Sequence, residues 1–203
     1  MVAAHLRFRV SWYQMIAKPR RGIVITNKIS TLLLWKLREQ VERTEHLIAL
    51  IPLEETDWRL SLSPTAALDV FGLNELLCHL NECLAGFCAA LYAAHSDRLA
   101  HFVNLREMRP NNRYEIEEAS ALRRIYMAHI EEGFALITDD DLTRQIPTVF
   151  VPKGEALFTI LIGNLEHYIN HKYQLFFYLK MLGIPVTTKD LYHLRSQDSA
   201  EQD

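Results

Sequence analysis

Several signals are missing from this chain of 203 residues, and each absence removes a class of function. Its three cysteines, Cys78, Cys83 and Cys88, contain no CxxC pair. On a helix they would lie about 140° apart around the axis, so they could not bond to one another. That is the usage of a reducing compartment, with thiols as small buried hydrophobes. There is no uninterrupted apolar run of 18 residues, so no membrane span is expected. A GxSxG elbow and a glycine-rich phosphate loop are both lacking, which argues against a serine hydrolase and a nucleotide-binding enzyme. Strand-like alternation is nearly absent outside "TVFVP" at 148–152.

Acidic residues are missing from the N-terminal stretch. Residues 1–38 hold Arg7, Arg9, Lys18, Arg20, Arg21, Lys28, Lys36 and Arg38 but no Asp or Glu. The composition resembles a transit peptide, yet Pro19 and Gly22 break any long amphipathic helix and no apolar signal core follows. A loosely attached extension over 1–28 is expected, or upstream sequence that a start at Met15 would omit. The whole chain is near neutral, with a formal charge of −3, which speaks against a nucleic-acid partner. A cytoplasmic protein is the expectation, with one domain over 29–195 and a polar tail over 196–203.

What is present is apolar periodicity at helical spacing. Leu33, Leu34, Leu37, Val41, Thr44, Leu47 and Ile48 mark a first helix from about Ser30, a candidate N-cap, to Ile51, stopped by Pro52. Leu73 to Ala94 repeats the pattern, after a connector whose Trp58 is placed to plug an end of the core. A third helix spans about Glu115 to Thr138, with Leu122, Ile125, Tyr126, His129, Ile130, Phe134 and Ile137 as its apolar set. A long crossover then leads to a fourth, about Glu155 to Leu182, closed by Gly183 and Pro185. The reading is an all-α fold, an antiparallel four-helix bundle with long crossover connections. The fourth helix is apolar on more than one stripe, the pattern of a central helix or of one covered by a second copy, so a homodimer is expected.

That helix also carries "GNLEHYINHKYQLFFYLKMLG", with His167 and His171 four residues apart. The spacing presents two imidazoles on one face, as metal sites require. It is weak alone, since nine histidines in 203 residues make such pairs common by chance. The pair continues the stripe of Leu161, Asn164, Tyr168 and Leu175, so both rings point inward, where coordination would satisfy them. His79, beside Leu80 and a turn from Leu76 and Cys83, is the candidate third ligand, with His46 and His129 as competitors. Cys83, four residues after His79, is either a core residue, the commoner fate, or a fourth ligand. Glu82 and Glu75 flank His79 at i+3 and i−4, where either would orient its ring or stand in solvent.

"LNELLCHLNE" together with "EHYINHKYQLFFYLKMLGIPV" resembles the DinB-like (YfiT-like) metal-binding four-helix bundles over roughly residues 30–192. The Trp-Arg element of "DWRLSLSPTAALDVFG" also resembles that family's connector. The resemblance implies a divalent ion, zinc or nickel, on His79, His167 and His171. Gln174 would stand behind the ligands, and Glu82, Glu75, Asn164 and His129 are further candidates to support them. The family often has a histidine directly after the last ligand and a glycine before the glutamine; this chain has Lys172 and Tyr173 there. The implied activity is a metal-dependent hydrolase or a low-molecular-weight thiol S-transferase on a small-molecule substrate. The alternative is a non-catalytic metal-binding or stress-response bundle acting through dimerisation or ligand binding.

Overall fold

The computed structural model describes residues 28–60, 70–95, 116–148 and 150–194. Of the basic extension expected over 1–28 only Lys28 is among the described residues, and the tail expected over 196–203 lies outside them. Within them the chain is mostly helical. Four long helices carry the fold: α1 (Lys28–Ala49), α2 (Leu73–His95), α3 (Ile116–Leu136) and α4 (Leu157–Met181). A short α5 (Thr188–Leu191) follows. Each of α1 and α2 packs on both α3 and α4, so the helices close around one core.

Helix α2 is the central one. Seventeen of its twenty-three residues are buried, against eleven of twenty-five in α4, the helix whose double stripe suited either a central place or cover by a second copy. Its run of Ala85, Gly86, Ala89, Ala90 and Ala94 presents little side-chain bulk, so neighbours reach it from several sides. Gly133 of α3 sits on Leu91, where an added Cβ would lie 2.8 Å from the leucine Cβ. By length and composition α2 is apolar enough to cross a membrane, but 83% of that apolar window is buried among the other helices. It is a core helix with the hydropathy of a span, a reading that the search for an uninterrupted run passed over.

The inward face of α3 differs from expectation. Ile130, Phe134 and Ile137 are inside as read, whereas Ile125 is exposed and Arg123 is 1% exposed. Ala119, Arg123, Ile130 and Phe134 form one helical stripe, and a reading that follows apolar letters steps off it at the arginine.

The ends are set by local chemistry. Ser30 is the third residue of α1; its N–H and hydroxyl, and the N–H of Ile29, donate to the Asp139 carboxylate at 2.9–3.0 Å. The cap thus comes from the loop after α3, 109 residues away, and fastens two elements together. At the far end of α4, Gly183 (φ 79°) carries a Schellman closure, Ile184 N–H to Leu179 C=O and Gly183 N–H to Lys180 C=O. The crossover before α4 includes a two-residue antiparallel ladder, β1 (Gln145–Ile146) with β2 (Glu155–Ala156), Gln145 opposite Ala156. The expected start of the fourth helix at Glu155 is therefore strand, and α4 begins two residues later.

Candidate metal centre

His79 reaches the site from the second turn of α2, and His167 and His171 from successive turns of α4. His167 Nε2 lies 3.0 Å from His79 Nε2 and 2.9 Å from His171 Nε2. Cys83 joins them: its sulfur and the three ring nitrogens all lie within 4.8 Å of one another. Four residues of metal-ligand type thus converge from two helices, and the group is able to hold a metal ion. A tetrahedral ion with nitrogen ligands at 2.0–2.1 Å spaces them about 3.3 Å apart, so the rings need open by only a few tenths of an ångström.

The hydrogen bonds behind the rings favour a cation. His79 Nδ1 faces Glu82 Oε2 at 3.1 Å, and His171 Nδ1 faces Gln174 Oε1 at 2.9 Å. Both acceptors call for a proton on Nδ1, which leaves both Nε2 lone pairs aimed at His167 Nε2. One imidazole N–H cannot serve both well, whereas a metal ion satisfies all three. The carboxylate–histidine pairing is also the usual way a ligating ring is oriented and made more basic. Burial holds His171 below the ordinary imidazole range, the Gln174 hydrogen bond opposing this and His79 adding to it.

The relay continues outward. Gln174 Nε2 donates to the Tyr178 hydroxyl at 2.8 Å, and Tyr178 donates to the Phe71 carbonyl at 2.7 Å. The Phe71 ring stacks on His79 at 4.8 Å and meets His171 edge-on at 5.8 Å. One loop residue therefore shields two ligands and anchors the network that orients one of them. Trp58 packs edge-on to Tyr178 at 5.0 Å, on the same end of the core. Phe71 and Tyr178 were not read as site residues. Tyr178 was detectable, because 171, 174 and 178 share a helix face; Phe71 sits in the connector, where spacing has no period to follow.

The other candidates are distributed as follows. Asn164 is 5% exposed and lines a cavity of about 50 Å³ with His79, Glu82, Cys83, Gly86 and His167; among the described residues its Nδ2 has no hydrogen-bond partner. Glu75 accepts from the Gly72 N–H at 2.8 Å and pairs with Arg59, closing the first turn of α2. His129 lies against Tyr92 and Glu132, near the opposite end of α2, thirteen residues or about 20 Å from His79. His46 stacks on His193 at 4.0 Å and pairs with Asp190 at 3.3 Å. The structure thus gathers His79, His167, His171, Cys83, Asn164, Glu82 and Gln174 at one place, and sets His129 and His46 apart. Lys172, where the DinB-like pattern often has histidine, is 2% exposed and donates to Gln40 Oε1 at 2.7 Å. Cys88 is also inside, its thiol pushed up to about 12 by burial.

No family model matches the sequence, and no curated protein matches it. Among solved structures, the chain is similar to the mycothiol-dependent maleylpyruvate isomerase, with a TM-score of 0.49 and 11% identity. The likeness covers 72% of this chain and 60% of that one, under two thirds of its length.

Proposed function

We propose that this is a DinB-like protein, an antiparallel four-helix bundle that holds one divalent ion, zinc or nickel, through His79, His167 and His171. The observation that carries the reading is the convergence of three Nε2 atoms at 2.9–3.0 Å with acceptors behind two of the rings. A divalent ion on neutral imidazoles keeps its full charge and would supply Lewis acidity, lowering the pKa of a water or thiol placed on it. The chain's own residues do the rest. Glu82 and Gln174 fix the ring tautomers, Phe71 keeps water from one side, and exposed His167 leaves the other side open to small molecules.

This arrangement supports a metal-dependent hydrolase or a transferase that uses a low-molecular-weight thiol. The second reading, a non-catalytic bundle that holds metal or a small ligand, draws on the narrowness of the cavity, about 50 Å³. A substrate panel with and without thiols separates them. Turnover that is abolished by chelation and restored by metal is the expected result; metal binding without turnover across the panel favours the second reading. We place the protein in the cytoplasm as a homodimer. Tyr173, Phe177 and Met181, at i, i+4, i+8 on α4, are 37%, 60% and 55% exposed and offer a face for a second copy.

A further inference from the structure

Cys83 is one turn beyond His79 on α2, so its side chain leaves the same face of the helix. It is 9% exposed, and its sulfur belongs to the same 4.8 Å group as the three imidazole nitrogens. It also lines the small cavity that His79 and His167 line. We infer that Cys83 is the fourth ligand, so that the resting protein holds its metal in a His₃Cys set, which a water or thiol joins by expansion to five ligands. This rests on the reading of the three histidines as metal ligands and adds what completes their coordination.

Three arguments support it. The first is reach. In a tetrahedral site with Zn–N near 2.0–2.1 Å and Zn–S near 2.3 Å, nitrogen and sulfur stand about 3.5 Å apart. The gap to be closed is the difference between 4.8 Å at most and that spacing, about 1.3 Å, within what a cysteine χ1 adjustment and a small movement of the rings provide. The second is charge. Three imidazoles leave a dipositive ion with only the Glu82 carboxylate, behind His79, to offset it, and a coordinated thiolate would halve the charge at the ion itself while releasing one proton to solvent.

The third is Asn164. The residue is 5% exposed, it lines the cavity with Cys83, and its Nδ2 has no acceptor among the described residues. A coordinated thiolate is an acceptor that a neutral core thiol barely provides. Such N–H donors are the usual means by which a protein steadies a metal-bound sulfur. A thiolate in the set also shifts preference toward zinc or cobalt and away from hard cations such as magnesium.

The test uses cobalt(II) as the probe in the full chain. A thiolate on cobalt(II) gives an intense near-ultraviolet charge-transfer band that histidine ligands do not. The expected result is that band at one cobalt per chain. Cys83→Ala and Cys83→Ser should lose it, and Cys88→Ala, whose thiol faces the Tyr126 carbonyl of α3 instead, should keep it. One bound cobalt with no such band in the native chain overturns the inference while leaving the three-histidine reading intact. So does a band that survives in both Cys83 variants. A chain that binds no cobalt and no zinc overturns both together. The native chain's spectrum decides the matter even where a Cys83 variant fails to fold.

Discussion

At the scale of single residues, the site depends on what stands behind its ligands. Gln174 orients His171 and is itself held by Tyr178, which reaches back to the Phe71 carbonyl. Removing such an orienting partner from a metal-binding histidine costs about 10–100-fold in affinity. Gln174→Ala is expected to weaken zinc binding within that range without changing helix content, as read by competition with a chromogenic chelator. Tyr178→Phe should move affinity in the same direction by less, because Gln174 keeps one of its two bonds. His129→Ala, at the other end of α2, should leave metal affinity unchanged. The histidine spacing and the stripe on which it sits pointed to His167 and His171, and the resemblance to the DinB-like bundles pointed to Gln174. Phe71 was not legible, since its position depends on how a connector folds back. Cys83 was legible only as an alternative, because spacing alone does not separate a ligand from a small core residue.

At the scale of helices, two glycines in helix interiors make opposite predictions. Gly163 in α4 is exposed and nothing lies within 4 Å of an added Cβ. Gly163→Ala should therefore gain about 0.5–1 kcal/mol from helix propensity alone. Gly133 faces Leu91 at the α2–α3 contact, and the atom in the way is a Cβ fixed to backbone, which no rotamer change moves. The same propensity gain is there outweighed by overpacking of about 1–3 kcal/mol, so Gly133→Ala should lower the denaturation midpoint. Chemical denaturation of both variants checks the pair.

The cap on α1 gives a pH test. Backbone N–H groups of α1, Ser30 first, hold Asp139 below its ordinary 3.8, more than offsetting a small desolvation. A depressed carboxylate adds stability above its unfolded value, and that contribution is lost as pH falls through the folded value. Asp139→Asn should retain most of the capping but lose this acid dependence below about pH 4, and Asp139→Ala should lose both. Thermal unfolding followed from pH 7 to pH 3 distinguishes the three proteins. The helices were readable to within about two residues because each has a long apolar stripe and clear stop signals. The two-residue difference at the start of α4 arises because Glu155 and Ala156 pair with a strand ten residues earlier, a contact local pattern does not encode. Arg123 was missed for the complementary reason: apolar periodicity passes over a charged residue on the inward stripe.

At the scale of the whole molecule, one exposed apolar face lies along α4 and continues to Tyr192, whose hydroxyl meets that of Tyr173 at 3.1 Å. A homodimer across this face predicts twice the chain mass in light scattering at micromolar concentration. Phe177→Glu should return the monomer with its helix content intact. A single monomer mass for the native chain would remove the dimer from the account but not the metal, because the gathered ligands all come from one chain.

The account stands or falls on metal content. Elemental analysis of the full chain, purified without a histidine tag and then offered zinc and nickel, tests it directly. About one equivalent per chain is expected, lost in His167→Ala, whose exposed side chain contributes little to the core, and in His79→Ala. A folded native chain that retains neither metal would contradict the central claim.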